Sequence, residues 1–258
     1  RRSLVMANRG VRAEAPMVRQ AGELEPASWN EALAWVAGEL DDARGIAVVS
    51  AGVSNEDLFY TRALMDRMGI QGGTFQVEQG DEATLTGFPK LKLRADRAPN
   101  AAGAELHEFG RSEGLPDVPD GATLVVLGDA LSGASADYGA NAGFFLYIGS
   151  HMVPAARNAT AILPAATVPE TDGTFVNYEG RVQRFHRALR SPGVARPTWM
   201  FLSRLLEQLG GEPGVREIGD AFAVMATGTA GMEAMSWAGL GLRGELLSEA
   251  GQPAVAAE

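Results

Sequence analysis

The stretch "GIAVVSAGVSNEDLFYTRALMDRMG", residues 45–69, decides the fold. Its first eight residues are mostly apolar and lie between glycines, which is typical of a buried parallel strand. Ser54 then stands where a helix N-cap is expected, with Asp57 in the capping-box position, and Gly69 ends the helical pattern. A strand, a tight turn and a helix form a βα unit, so the sequence predicts an α/β protein with a parallel sheet.

Four further apolar runs are predicted to be strands, namely residues 74–78, 122–129, 143–150 and 159–166. The clearest of them ends in Gly128 and Asp129, where a loop that faces a ligand lies in parallel α/β sheets. The run 80–119 contains prolines and little periodicity. We therefore expect a connection there, with one exposed helix near residues 101–109.

Two segments carry strong helix signals. Ser28, with Glu31 three residues later, predicts a capping box, and Pro197 lies in the first turn of a helix that Gly210 ends. Shorter helices are expected at 221–226 and 232–237. The sequence thus predicts four parts: an extended N-terminal arm (1–27), a first α/β unit with an irregular connection (28–120), a second α/β unit with a glycine hairpin and a helix (121–211), and a helical C-terminal tail (212–258).

Composition excludes several classes of function. The chain has 258 residues, a net charge of -10, no cysteine and three histidines. Thiolate zinc sites, cysteine-ligated iron–sulfur clusters and cysteine nucleophiles are therefore excluded within it, and the scattered histidines predict no metal site. The acidic balance argues against nucleic-acid binding, and no apolar run approaches the roughly 20 residues that span a bilayer, so no membrane insertion is expected. A start without methionine is expected of a fragment of a longer protein.

Six stretches, in order along residues 26–211, resemble one family. They are "PASWNEALAWVA", "IAVVSAGVSNEDLFYTRALMDRMG", "RADRAPNAAGAEL", "LVVLGDAL", "AILPAATVPETDGTFVNYEGRVQRFHRAL" and "GVARPTWMFLSRLLEQLGG". They are similar to the molybdopterin-oxidoreductase-type domain of the large G subunit of NADH–quinone oxidoreductase, respiratory complex I. The segment 161–183 is the most specific part. Gly180 after Glu179 resembles complex I more than formate dehydrogenases or nitrate reductases, which often have arginine there.

The resemblance implies Rossmann-like parallel α/β layers of the molybdopterin oxidoreductase type, in a shortened form. In formate dehydrogenases and nitrate reductases that fold holds a bis-pterin molybdenum or tungsten cofactor, whereas in complex I it is generally a scaffold without metal. It therefore implies a non-catalytic part of an NADH–quinone oxidoreductase, with no cofactor of its own and iron–sulfur clusters on a neighbouring domain or subunit. The implied partners are other peripheral-arm subunits, on the cytoplasmic side and attached to the membrane through the complex.

Three departures from the family pattern bear on this expectation. The family domain is usually much longer, and residues 80–94 stand in place of a larger block; Ala159-Thr160 stands where relatives have alanine and aspartate; and no cysteine is present. Molybdopterin is accordingly not expected. Two alternatives stay open: a pterin-binding oxidoreductase fragment, and an assembly or regulatory paralogue outside the complex.

The stretch "TDGTFVNYEGRVQRF", residues 171–185, supplies the candidate site residues. Gly173, Thr174, Asn177 and Arg181 could surround a pterin or another anion, since glycine turns and arginines suit phosphates. The simpler interpretation is a structural double turn, because Asp-Gly and Glu-Gly are turn dipeptides. No catalytic or metal-binding residue is predicted.

Four arginines follow at intervals of three with no acid among them, at positions 181, 184, 187 and 190. In a strand this spacing puts charge on both faces, which a strand buried on both sides does not tolerate. We therefore expect an edge strand or an extended arm, with Arg181, Arg184, Arg187 and Arg190 binding a partner.

Overall fold

The computed structural model describes residues 10–40, 44–248 and 251, without the side chains of 89 and 90. Its strands, in chain order, are β1 (Met17–Gln20), β2 (Glu23–Pro26), β3 (Gly45–Ser50), β4 (Gly72–Gln76), β5 (Ala83–Leu85), β6 (Phe88–Leu93), β7 (Gly110–Arg111), β8 (Thr123–Leu127), β9 (Phe144–Gly149), β10 (Ala161–Pro164), β11 (Gly173–Val176), β12 (Arg181–Phe185) and β13 (Glu245–Leu246). The α-helices are α1 (Trp29–Glu39), α2 (Asn55–Arg67), α3 (Ala101–Leu106), α4 (Thr198–Gln208) and α5 (Ile218–Thr227).

Eight of these strands form one sheet, in the order β2-β1-β10-β9-β8-β3-β4-β7. The run from β10 to β7 is parallel throughout, and β1 joins it antiparallel to β10. Counted along the chain from β3, the six parallel strands lie in the order 3-2-1-4-5-6. This is the order of the doubly wound Rossmann fold, and it confirms the predicted α/β class.

The two faces of this sheet are covered differently. On one face α1, α2 and α4 pack through buried residues such as Leu33, Leu64 and Phe201, with the rings of Trp29 and Phe201 4.8 Å apart. The other face is covered by the turns of residues 130–142 and by a 3₁₀ helix, Pro154–Asn158. The strands between them are buried on both faces, which explains their continuous apolar runs.

The predicted caps are confirmed at both helix starts. The Ser28 hydroxyl accepts a hydrogen bond from the Glu31 amide at 3.3 Å, and the Glu31 carboxylate accepts one from the Ser28 amide at 2.9 Å. Ser54 caps α2 by accepting from the Asp57 amide at 3.1 Å. The Asp57 carboxylate also accepts from the Trp199 amide, at 2.9 Å, a contact that the capping pattern does not predict.

Several segments differ from the secondary structure predicted for them. Residues 17–26 form the β1–β2 hairpin within the large sheet, although the sequence predicts an arm over residues 1–27; residues 1–9 lie outside the described ranges. The connection 80–119 contains the β5–β6 hairpin, and α3 buries Ala101 and Ala104 instead of being exposed. The helix predicted at 232–237 is a series of turns.

A second, three-stranded sheet has the order β11-β12-β13. Val176 and Val182 of this sheet pack with Phe222 and Met225 of α5 in a separate core. β12, which contains Arg181 and Arg184, lies between two strands, so the prediction of an edge strand is wrong for these two arginines. Within the described ranges, no helix is both long and apolar enough to cross a bilayer.

Candidate functional site

The Rossmann order brings two loops together where the strand order reverses, at the carboxyl ends of β3 and β8. The Ser50 hydroxyl donates to the Asp129 carboxylate, and the Gly52 amide donates to the Ser50 oxygen at 3.0 Å. Gly128 has φ +76°, and a Cβ there would lie 2.8 Å from side-chain carbons of Ser50 and Val53. Glycine is thus required for the two loops to approach so closely.

Two cavities flank this meeting point. The larger, about 1030 Å³, lies over the carboxyl ends of β3, β4 and β7. The smaller, about 420 Å³, lies over those of β8, β9 and β10. Gly52, Asp129 and Ser132 line both cavities. Together they form a crevice in the position where doubly wound folds bind ligands, as Gly128 and Asp129 predict.

The larger cavity is lined by three carboxylates, those of Glu78, Glu113 and Asp129, and by two arginines. Arg111 donates to the carboxylate of Asp96 at 2.9 Å and to that of Glu105 at 3.0 Å. Arg97 donates to the backbone oxygens of Asp81, at 2.7 Å, and of Arg94. Both cations are therefore already engaged by oxygens of the protein.

Asp96 is held in its charged form by this arrangement. Partial burial by itself would raise the pKa of Asp96, but hydrogen bonds from Gln79 and Arg111 outweigh burial and lower that pKa. Gln79 donates to the carboxylate at 2.7 Å. The Arg111–Asp96 pair consequently remains ionised near neutral pH.

Among the described residues that line the smaller cavity there is no arginine or lysine. Asp57 lines it, and burial raises the pKa of this carboxyl to about 6, although hydrogen bonds from Trp199 and Ser54 oppose the shift. The Tyr147 hydroxyl donates to the His151 backbone oxygen at 2.7 Å, and burial raises the pKa of that hydroxyl. The lining thus mixes apolar groups with hydroxyl and carboxyl oxygens.

The first turn of α2 holds two buried carboxyls, Glu56 and Asp57. Burial raises the pKa of Glu56 to about 7. Its oxygens accept from the Thr174 amide at 2.9 Å and from the Thr174 hydroxyl at 3.0 Å. In many Rossmann folds this helix end receives a phosphate. Here its side chains bind β11 and the start of α4 instead.

Two buried asparagines complete the attachment of β11. Asn55 donates to the Thr174 hydroxyl at 3.0 Å. Asn100 accepts from the Val176 amide at 2.8 Å and donates to the Val53 backbone oxygen at 2.9 Å, so it ties β11 to the crevice loop. Gly103 faces both asparagines, and a Cβ at that position would overlap their side-chain oxygens. Asn55, Asn100, Glu56 and Thr174 are named the hairpin clamp.

The four candidate cofactor residues lie within or beside this clamp, and none of them lines either cavity. Gly173 and Thr174 are buried in β11. The Asn177 side-chain oxygen accepts from the amides of Glu179, at 3.0 Å, and Arg181, at 2.9 Å, which closes the turn at Gly180 with φ +73°. In this structure these residues build and attach the hairpin.

The arginine row divides into two pairs. Arg181 donates to the Gly244 backbone oxygen at 3.3 Å, and Arg184 donates to that of Trp237 at 2.8 Å while lying 5.8 Å from its ring centre. These two arginines thus hold the C-terminal segment of their own chain. Arg187 and Arg190 are exposed, and their guanidiniums make no hydrogen bond or ion pair with the part of the chain that the structure describes.

Sequence reasoning missed the hairpin clamp and one buried ion pair. Arg12 donates to both carboxylate oxygens of Glu170 at 2.7 Å, so it fastens the N-terminal segment beside the smaller cavity. The available signal was the string "SNED", whose first turn has two acids and an asparagine next to a capping serine. Such acids usually face solvent, and only the fold brings Thr174 and Trp199 to them.

Three features define the class of protein to which the chain belongs. They are the fold, the crevice at the reversal of strand order and the "DGTFVNYEGRVQ" hairpin. The chain belongs to the molybdopterin oxidoreductase family, whose model matches residues 12–107 and 134–208, about two thirds of the chain.

Individual relatives fall into two functional groups. The chain is 42% identical over 67 residues to the F420-dependent formate dehydrogenase 2 subunit alpha of Methanococcus maripaludis, covering 26% of this chain and 10% of that protein. It is 36% identical over 84 residues to the putative formate dehydrogenase YrhE of Bacillus subtilis, covering 33% and 9%. It is 43% identical over 67 residues to the mitochondrial NADH-ubiquinone oxidoreductase 78 kDa subunit of Neurospora crassa, covering 26% and 9%. The matches thus span about a tenth of the length of these relatives.

Proposed function

We propose that the chain is a structural part of the large peripheral-arm subunit of an NADH–quinone oxidoreductase. It supports NADH-to-quinone electron transfer without a cofactor of its own, and the iron–sulfur clusters lie on a neighbouring domain or on other subunits. Its partners are other peripheral-arm subunits, on the cytoplasmic side of the membrane. The likeness to the 78 kDa subunits of Neurospora crassa and Candida albicans supports this proposal.

One observation carries the proposal: the polar residues that mark the family in this chain are bound to one another. Thr174 is completely buried between Glu56 and Asn55, and Asn177 is used by its own turn. A residue engaged in this way holds elements together and is not available to a ligand in the crevice. This favours a scaffold over a cofactor site.

The crevice is also a poor match for a pterin dinucleotide, whose diphosphate is anionic. Its two arginines are engaged by Asp96, Glu105 and backbone oxygens, and three carboxylates line the same cavity. The end of α2 that could receive a phosphate holds Glu56 and Asp57. A diphosphate bound in the larger cavity would lie near the carboxylates of Glu78, Glu113 and Asp129, which is costly in a partly buried site.

The test is the pterin content of the full-length subunit, purified from cells grown with molybdate and tungstate. Oxidised pterins are fluorescent, so they can be quantified after release from the denatured protein. We expect no stoichiometric pterin. One pterin dinucleotide per chain, lost on Ser132→Trp, would contradict the proposal, because Ser132 lines both cavities.

A pterin-binding oxidoreductase fragment is the second candidate. The observation in its favour is the cavity of about 1030 Å³ at the reversal of strand order, with Glu78 near the carboxyl end of β4. In the Rossmann fold an acid after the second strand binds a ribose hydroxyl. The likeness to formate dehydrogenases agrees with it. Pterin retained by the wild type but not by Ser132→Trp would select this candidate.

A further inference from the structure

A two-stranded arm, residues 78–97, leaves the large sheet at the carboxyl end of β4. At its base the Gly80 amide donates to the Ala95 oxygen at 2.9 Å, and the Arg97 amide donates to the Glu78 oxygen at 3.0 Å. Beyond the base, β5 and β6 pair with each other and with no other strand in the described part of the chain. An isolated two-stranded ribbon is marginally stable in water, so this arm needs a surface to lie against.

The arm exposes large apolar side chains together. Leu85 is 49% exposed, Phe88 63%, Leu91 54% and Leu93 49%. Leu93 lies opposite Ala83, and Leu85 lies opposite Phe88, with an irregularity in the pairing between Thr84 and Leu85. Among the described residues from 81 to 93, every side chain is exposed. Several large apolar side chains exposed on one short hairpin mark an interaction site more often than a free surface.

The outer part of the arm, residues 83–94, is basic, in contrast to the acidic chain. Both lysines of the protein, Lys90 and Lys92, lie in β6, and Arg94 follows them. From Ala83 to Arg94 there is no acidic residue, although the chain has a net charge of -10. Lys92 is exposed and lies opposite Thr84, on the other face from Leu93. The arm therefore presents apolar and basic groups on neighbouring surfaces.

The same surface continues onto the β11–β12 hairpin. The Arg94 guanidinium lies 4.3 Å from the ring centre of Tyr178, which is at the tip of that hairpin and largely exposed. This cation–π contact joins the arm to the hairpin through two residues that are 84 positions apart in the sequence. The hairpin tip thus supports the arm from one side and leaves its leucines uncovered.

We propose that this arm docks into an apolar groove bordered by carboxylates on another protein chain. Charge complementarity selects that occupant, because basic groups beside an apolar strip fit acids beside an apolar groove. An anionic membrane is disfavoured, since a chain of net charge -10 is repelled by it. The inference goes beyond the proposed function, and it holds whether or not the crevice binds a cofactor.

The experiment places a photo-crosslinking benzoylphenylalanine at Leu91 in the full-length protein, expressed in the cells that produce it. A matched probe at Leu242, which is 99% exposed but far from any lysine in sequence, reports non-specific capture. We expect the Leu91 probe alone to link one protein, at a segment where apolar residues alternate with aspartate or glutamate. Lys92→Glu should lower the yield of that product about tenfold, and Lys92→Arg should preserve it.

Other outcomes would overturn the proposal. They are a product at a basic segment, a product with lipid, a product with a second copy of this chain, or equal yields from the two probes. Flotation with vesicles of phosphatidylglycerol and phosphatidylcholine checks the lipid outcome, and sedimentation of the purified chain checks self-association. Because Lys92 is exposed, unchanged thermal unfolding of both Lys92 variants separates a lost contact from a lost fold.

Discussion

The two hairpins of this protein, β5–β6 and β11–β12, have the same secondary structure and opposite surroundings. β5–β6 is exposed at every residue whose side chain the structure describes, whereas β11 is largely buried and is fastened by the side chains of Asn55, Glu56 and Asn100. β12 is further covered by β13 and by α5. Strand pairing alone therefore does not hold a hairpin against the rest of this molecule. The side chains that bind its edge decide whether it becomes part of the core.

The largest expected effect comes from crowding the hairpin clamp. Gly103→Ala would push a methyl group into the side-chain oxygens of Asn55 and Asn100. We expect the free energy of unfolding to fall by about 3 kcal/mol, because overpacking is added to broken hydrogen bonds. Urea denaturation followed by circular dichroism measures it.

Gly38→Ala is the matched control for that substitution. Gly38 lies in α1, and a Cβ there meets nothing within 4 Å. Alanine is favoured over glycine within a helix, so this variant should gain about 0.5 to 1 kcal/mol. Equal losses for the two variants would show that Gly103 is not specifically constrained.

A smaller effect separates the two hairpins directly. Thr174→Val removes a buried hydroxyl that donates to Glu56 and accepts from Asn55, and should cost about 2 kcal/mol. Thr84→Val makes the same change in the exposed β5 and should alter stability by no more than about 0.5 kcal/mol. Thermal unfolding of the pair gives the comparison, which fails if the two midpoints move equally.

The clamp also predicts a dependence of stability on pH. Burial raises the pKa of Glu56 to about 7 and that of Asp57 to about 6. Since both folded-state values exceed the unfolded ones, the native protein holds protons that the unfolded chain has released. The stabilisation from these carboxyls is complete below about pH 4 and is lost as the pH rises through 6 and 7.

Glu56→Gln tests the origin of that dependence. The amide oxygen can still accept from the Thr174 amide but does not titrate. The decline in unfolding free energy between pH 5 and pH 7 should therefore become shallower than in the wild type. If the decline in unfolding free energy with pH stayed the same, titratable groups other than Glu56 would be its main cause.

The smallest expected effect lies in the arginine row. Arg184→Ala removes the contact with Trp237, so it should lower stability by about 1 kcal/mol and speed amide exchange over residues 237–247. Arg187→Ala should leave both unchanged, because Arg187 is exposed. We propose that Arg187 and Arg190 bind the partner, and loss of partner binding without loss of stability would support that role.

The sequence predicts the large sheet well because its strands are buried on both faces and therefore read as continuous apolar runs. It predicts the β1–β2 hairpin poorly. Only Val18 of β1 is fully buried, and the turn places Ala21 at φ 49° before Gly22, a position where alanine gives no turn signal. The β5–β6 hairpin is hard to predict for a similar reason, because it contains Pro89 and none of its described side chains is buried.

The candidate site is predicted in part. Gly128 and Asp129 do mark a loop at the crevice, whereas the hairpin residues turn out to lie in a different place from the cavities. The side chains that bind β11 come from residues 55, 56 and 100, and no local sequence pattern predicts contacts over such separations. Asp57 illustrates the same limit, since its spacing from Ser54 predicts the cap but no local pattern predicts its bond to the Trp199 amide.

The central claim is that the family's marker residues hold the hairpin in this chain and do not hold a cofactor. The metal content of the intact complex tests it most directly, by plasma mass spectrometry with protein quantified by amino-acid analysis. We predict iron in the complex and no stoichiometric molybdenum or tungsten. One atom of molybdenum or tungsten per copy of this chain would contradict the account.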